Sequence, residues 1–257
     1  MNSLEILPAS TLQLANETLH ELRANPTASY ESLTDAQQAK YDLLAAACLQ
    51  DIIERPDTAN LLTKLVPTEE AYSIKLADID KALLRVHFYA PEGASDIDPR
   101  IMQEGIVDSA RFGTPHTHYG NISSAVPLGR LVHYCFTETE GQDYTASHIT
   151  YRKATDTTGT HRQAVVTPHH SASLAFNGTL ECDKSHGYRM DRSAIHVISW
   201  PEPTVTVFFS DMIDPKRTVA YQPFGTPEIV SEPRSPLGGA EQERVWESFN
   251  DVLRSCL

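Results

Sequence analysis

Two histidines one residue apart, in Thr114-Pro115-His116-Thr117-His118, carry the strongest chemical signal in this 257-residue chain. In an extended strand, residues two apart share a face, so His116 and His118 project together and can chelate one metal ion. Pro115 suits the entrance of such a strand, where its missing N–H costs little. Spacing alone is weak evidence: with 11 histidines in the chain, chance supplies about 0.5 such pairs. Arg85, in Leu84-Arg85-Val86-His87-Phe88, is a candidate for holding a substrate carboxylate, because a buried guanidinium offers a bidentate fork. The alternative is a surface arginine on an edge strand. His87 and His133 read as ordinary half-buried or core histidines, although His133 has the placement to donate to a ligand imidazole. His169 and His170 are adjacent, so on a strand they point to opposite faces, and a loop beside Pro168 is the preferred reading. His186 precedes Gly187 and reads as a turn residue.

These side chains need a rigid frame. Residues 10–66 have helical texture. Ser10 to Gln13 and Thr34 to Gln37 show capping-box spacing. Leu12, Ala15, Leu19 and Leu22 form one apolar stripe, and Tyr41, Leu44, Ala45, Cys48, Leu49 and Ile52 form another. Pro56 ends the second helix, and Asp57 is placed to cap a short third. After Pro67 short apolar or alternating runs take over, from Leu83–Tyr89 to Thr204–Ser210, divided by turn signals such as Leu128-Gly129, Glu140-Gly141 and Asn177-Gly178. The last is the best hairpin signal, since both central positions of a type I′ turn need positive φ. Many short strands predict a sandwich or barrel. Residues 211–238 read as Pro- and Gly-rich coil, and Glu241–Leu253 as a closing helix. The expected division is a helical segment at 1–70, a β-domain at 71–215, and coil plus helix at 216–257.

Composition narrows the partners. A net charge of −13 repels nucleic acid and anionic lipid. The four cysteines are scattered without a CxxC pair, which favours free thiols in a reducing compartment. The opening residues lack the basic and apolar regions of a signal peptide, and no apolar run approaches membrane-spanning length. The expectation is a cytoplasmic protein. No G-x-S-x-G elbow, phosphate-cradling loop or dinucleotide fingerprint is present.

Beyond His118 come Ile122, Val126 and Pro127-Leu128-Gly129-Arg130-Leu131. Later come Gly187-Tyr188-Arg189-Met190, Ile195-His196-Val197-Ile198, a Pro-rich turn and Thr204-Val205-Thr206-Val207-Phe208-Phe209. In this order the chain resembles the cupin superfamily over roughly residues 83–210, a span typical of one domain. The resemblance implies a mainly β, cupin-type (jelly-roll) β-barrel, with His196 as third metal ligand. Cupins usually add a Glu shortly after the second His, but positions 119–124 hold no carboxylate. A three-His face leaves about three positions for water, substrate and O₂. It also keeps the full divalent charge, which attracts an anionic or chelating ligand.

The pattern is similar to the cysteine-dioxygenase-like branch, which implies Fe(II), although Zn, Ni, Mn and Cu also suit three imidazoles. That branch carries a Ser-x-His-x-Tyr run. Here Thr206-Val207-Phe208-Phe209-Ser210 stands in its place, with Thr206 for the Ser, and Ser123 lies where the animal enzymes have a crosslinking Cys. Both departures turn the expectation from cysteine to another small acid. Arg192 and Arg111 are rivals to Arg85 as anion anchors. Tyr119 and Tyr188 are placed to donate to bound oxygen. The implied activity is a dioxygenase acting on a small anionic metabolite with O₂, in a chain able to form a homodimer. A non-redox metallo-cupin (lyase or isomerase) and a non-catalytic small-molecule-binding cupin are the alternatives.

Overall fold

The computed structural model describes residues 7–25, 27, 29–64, 71–90, 114–153, 162–184, 186–211, 218–225, 229–230 and 237–256. Two helices lead, α1 (Ala9–Ala24) and α2 (Asp35–Ile53), followed by a 3-10 helix at Pro56–Leu61. α2 begins as its spacing predicts. Thr34 Oγ1 accepts from the Gln37 N–H at 3.4 Å, and Gln37 Oε1 accepts from the Thr34 N–H at 3.1 Å. α1 does not: Pro8 takes the cap position with no side-chain bond, so Ser10 lies inside the first turn. Arg55 rather than Asp57 precedes the 3-10 helix. A strand, β1 (Tyr30–Ser32), interrupts the stretch expected to be helical.

The remaining strands are β2 (Thr63–Lys64), β3 (Ala71–Ile79), β4 (Ala82–Tyr89), β5 (Ile122–Leu128), β6 (Arg130–Lys153), β7 (Arg162–Asp183), β8 (Tyr188–Met190), β9 (Ile195–Ser199), β10 (Thr204–Asp211), β11 (Thr218–Pro223) and β12 (Ile229–Val230). Helix α3 (Gly239–Cys256) follows. One antiparallel sheet has the order β1-β8-β5-β10-β4-β3-β2. The other runs β11-β6-β7-β12, with β9 also on β6. The fold is mainly β, two facing antiparallel sheets flanked by helices. It departs from the expected closed barrel, because among the described residues the sheets keep separate edges.

Alternation assigns the faces. Leu84, Val86 and Phe88 of β4 and Val205, Val207 and Phe209 of β10 point to one side. There they join Leu19 and Leu22 of α1, Tyr41, Leu44 and Ile52 of α2, and Val245, Phe249 and Leu253 of α3 in one buried cluster. Burial of each large apolar side chain is worth about 1.5–3 kcal/mol, which is what holds helices to sheet. Between the sheets lies another cluster: Tyr89, Ile122, Val126, Tyr188 and Met190 meet Leu131, Cys182 and Trp200. Arg85, His87, Thr206 and Ser124 share that inward face by strand parity.

Several sequence signals resolve differently in three dimensions. Asn177-Gly178 is a bulge, not a hairpin turn. Cys135 pairs with Gly178 and Phe136 with Phe176, leaving Asn177 extra, while Gly178 takes φ 110°. The positive φ that suits a turn also suits a bulge, and the partner strand runs straight past. Residues 140–143 likewise bulge inside β6 without ending it. His169 and His170 lie in β7, not in a loop, and β11 crosses the expected coil at 211–238. Gly129 does make the expected turn, at φ 75° between β5 and β6.

Candidate metal centre

His116, His118 and His196 come together: one ring nitrogen from each lies within 4.8 Å of the others. His118 Nε2 and His196 Nε2 are 3.1 Å apart, and the three ring centres are separated by 4.8, 5.1 and 5.0 Å. Among the described residues no carboxylate joins this cluster.

The backbone explains the convergence. His196 sits on β9, and His116 exchanges both backbone hydrogen bonds with it, at 3.1 and 3.2 Å. Such a pair places both side chains on one face. On its other side the segment is held by β11: Thr117 N–H donates to the Val219 carbonyl, the Val219 N–H donates to Thr117 Oγ1, and the Tyr221 N–H donates to the Pro115 carbonyl. Pro115, lacking a donor, uses only its carbonyl. The His118 N–H donates to the Arg192 carbonyl, and the Arg192 N–H donates to Asn121 Oδ1. The His-x-His segment is therefore not a regular strand. It is an extended link tied between β9 and β11, and β11 was not legible beforehand.

The chemistry of the donors suits a metal. The ion needs a neutral imidazole with a free lone pair. Burial, then the neighbouring rings of His116, His133 and His87, holds His118 well below the ordinary histidine range. Burial, then His118, His116 and His133, does the same to His196. His116 Nδ1 lies 2.8 Å from the Thr114 carbonyl, so its N–H points there and Nε2 is left to bind. The residues fit a divalent ion with open positions.

The other predicted residues divide. Arg85 is half-buried on β4 and shares the inward face with His87, whose field reaches His118. Arg192 and Tyr119 flank the centre, both half-buried, and the backbone of Arg192 holds His118. Tyr188 is buried with its ring centre 4.3 Å from that of His133, whose ring centre is in turn 5.1 Å from that of His196. Thr206 is buried on β10, opposite His87 in the ladder. Arg111 lies outside the described residues. His186 is exposed and bridges to Asp183 in a turn, away from the three rings. A cavity of about 230 Å³ lined by Tyr30, Phe136, Glu138 and Ile195 lies nearby but includes none of the three histidines.

Sequence reasoning undervalued His133. It is 1% exposed, and burial, then His116, pushes it down to about 3. Neither ring nitrogen has a hydrogen-bond partner, and an unmet buried polar atom costs about 1–3 kcal/mol. The available signal was its position in Leu131-Val132-His133-Tyr134-Cys135, an imidazole set in a mostly apolar strand.

No protein-family model matches the chain, and no curated protein does. Two solved structures show a faint likeness at 9% identity and a TM-score of 0.16. One is the epimerase SnoN in complex with Fe3+, alpha ketoglutarate and nogalamycin RO, with 92% of this chain and 90% of that one covered. The other is the non-heme alpha ketoglutarate dependent epimerase SnoN from nogalamycin biosynthesis, with 92% and 87% covered. At that TM-score neither bears on the chemistry of this chain. Among the described residues no helix is long and apolar enough to cross a membrane.

Proposed function

We propose that this protein is a metal-dependent cupin oxygenase, an Fe(II) dioxygenase that acts on a small anionic metabolite bearing a thiol or carboxylate. The observation that carries the reading is the convergence of three imidazoles with no carboxylate among them in the described residues. Such a centre keeps its full divalent charge and favours an anionic ligand. His116, His118 and His196 hold the ion. Iron bound there supplies one-electron chemistry with O₂ and a Lewis-acid position for the substrate.

The chain's own residues do the rest. The Thr114 carbonyl fixes the His116 tautomer, and the β9 and β11 backbones fix the spacing of the ligands. Arg85 reaches for the substrate carboxylate from the facing sheet, with Arg192 as the second cation close to the centre. Phe208, stacked on His87 at 4.8 Å, walls the inward face against water. Tyr188 and Thr206 provide hydroxyls on the inward face, and Tyr119 adjoins His118 in the chain.

The test is anaerobic Fe(II) reconstitution, followed by oxygen-electrode assays with small thiols and carboxylates. Oxygen uptake that needs iron and disappears in His116→Ala supports the reading. Iron that does not bind, full activity in His116→Ala, or turnover without O₂ overturns it. The last outcome would instead indicate a non-redox lyase or isomerase.

A further inference from the structure

Two histidines in the core carry complementary unmet hydrogen-bonding groups. His196 Nδ1 is buried with no partner, while its Nε2 faces His118. His133 is buried with no partner on either nitrogen. Their ring centres are 5.1 Å apart at an interplanar angle of 46°. The two rings make no direct hydrogen bond, but at this separation one water can bridge a nitrogen of each. A histidine that binds metal through one nitrogen almost always donates the other N–H to a partner, and that bond sets the tautomer. His116 satisfies this rule through the Thr114 carbonyl. For His196, His133 is the nearby group with acceptor capacity to spare.

We propose that His133 is the positioning residue for His196: it accepts the Nδ1–H of His196 through a single bridging water, and so keeps the Nε2 lone pair aimed at the metal. Tyr188 backs the His133 ring at 4.3 Å and holds its orientation. A neutral imidazole offers one acceptor and one donor, and this arrangement uses the acceptor on the metal ligand. The inference rests on the metal-centre reading and not on any particular reaction.

The experiment uses the full chain with His133→Phe and His133→Gln. Zn(II) and Co(II) affinities are measured by competition with a chromophoric chelator, and melting temperature is measured in chelator. The expected loss of metal affinity in His133→Phe is roughly 10- to 100-fold, while the melting temperature of its metal-free form stays equal or rises. In that form the substitution removes the unmet second nitrogen of His133 but leaves His196 Nδ1 without its acceptor, so the two costs largely offset. His133→Gln, whose side-chain oxygen can accept, recovers most of the affinity. A purely structural His133 gives the opposite pattern, a lower metal-free melting temperature with unchanged affinity, and that pattern overturns the proposal. Loss of affinity that Gln does not rescue also overturns it. A wild-type protein that takes up neither metal removes the centre and this proposal together.

Discussion

Replacing His118 with Leu probes the centre where its geometry is tightest. The Nε2 atoms of His118 and His196 are 3.1 Å apart. Metal–nitrogen bonds of about 2.0–2.1 Å place two neighbouring ligand nitrogens about 2.9 Å apart at a right angle and about 3.3 Å apart at the tetrahedral angle. The observed pair falls between these values, so an ion can enter with little rearrangement of the two rings. Metal at 100 times its dissociation constant then stabilises the fold by about 2.7 kcal/mol. In a chain of this size each kcal/mol moves the melting temperature by roughly 2–4 °C. Wild type should therefore gain roughly 5–11 °C on adding Zn(II) or Co(II) over a chelator control. His118→Leu should gain almost nothing at the same metal concentration. Its metal-free melting temperature should stay near wild type, because the substitution removes crowded, desolvated imidazole and keeps apolar volume. Differential scanning fluorimetry with and without chelator reads both numbers. A variant with the full metal shift would refute the ligand assignment.

Four further outcomes are expected. Burial holds His133 down to about 3 against an ordinary value of 6.5, and His118 and His196 are lowered too. The unfolded chain then binds more protons below 6.5, so the metal-free fold is most stable above that pH and weakens as pH falls towards 3; a melting temperature flat across this window contradicts the assignment. Tyr41→Phe removes the hydroxyl that donates to the Ser123 carbonyl at 2.8 Å and should cost about 1–3 kcal/mol in urea unfolding, with an unchanged midpoint counting against it. Gly129→Ala should be strongly destabilising, because the residue sits at φ 75° and its new Cβ would meet the Pro203 carbonyl at 2.3 Å; soluble expression with a wild-type melting curve would argue otherwise. Arg85→Gln should raise KM for a carboxylate substrate roughly 10- to 150-fold, the worth of a charge-assisted hydrogen bond of about 1.5–3 kcal/mol. An equal effect on a substrate without the carboxylate would exclude Arg85 as the anchor.

Local pattern was enough for much of this protein. The α2 stripe from Tyr41 to Ile52 is buried as its period requires, and Thr34 caps it because the capping bonds span only three residues. The β texture after Pro67, the turn at Gly129 and the pairing of His116 with His118 were also legible, since each depends on residues adjacent or nearly so in the chain. What sequence could not supply was the choice between uses of the same local conformation. Asn177-Gly178 offers positive φ equally to a turn and to a bulge, and only the continuous partner strand β6 selects the bulge.

The same limit applies at the centre. Residue types set a His-x-His pair, a lone late histidine and no nearby carboxylate. Tertiary structure decided that β9 and β11 grip the His116 segment from two sides, and so brought His196 within reach across 78 positions of chain. It also turned His133 from one more core histidine into a buried ring with two unmet nitrogens beside His196. Whether a polar group is satisfied depends on what lies next to it in space, and strand pairing at this sequence distance leaves no periodic trace in the chain.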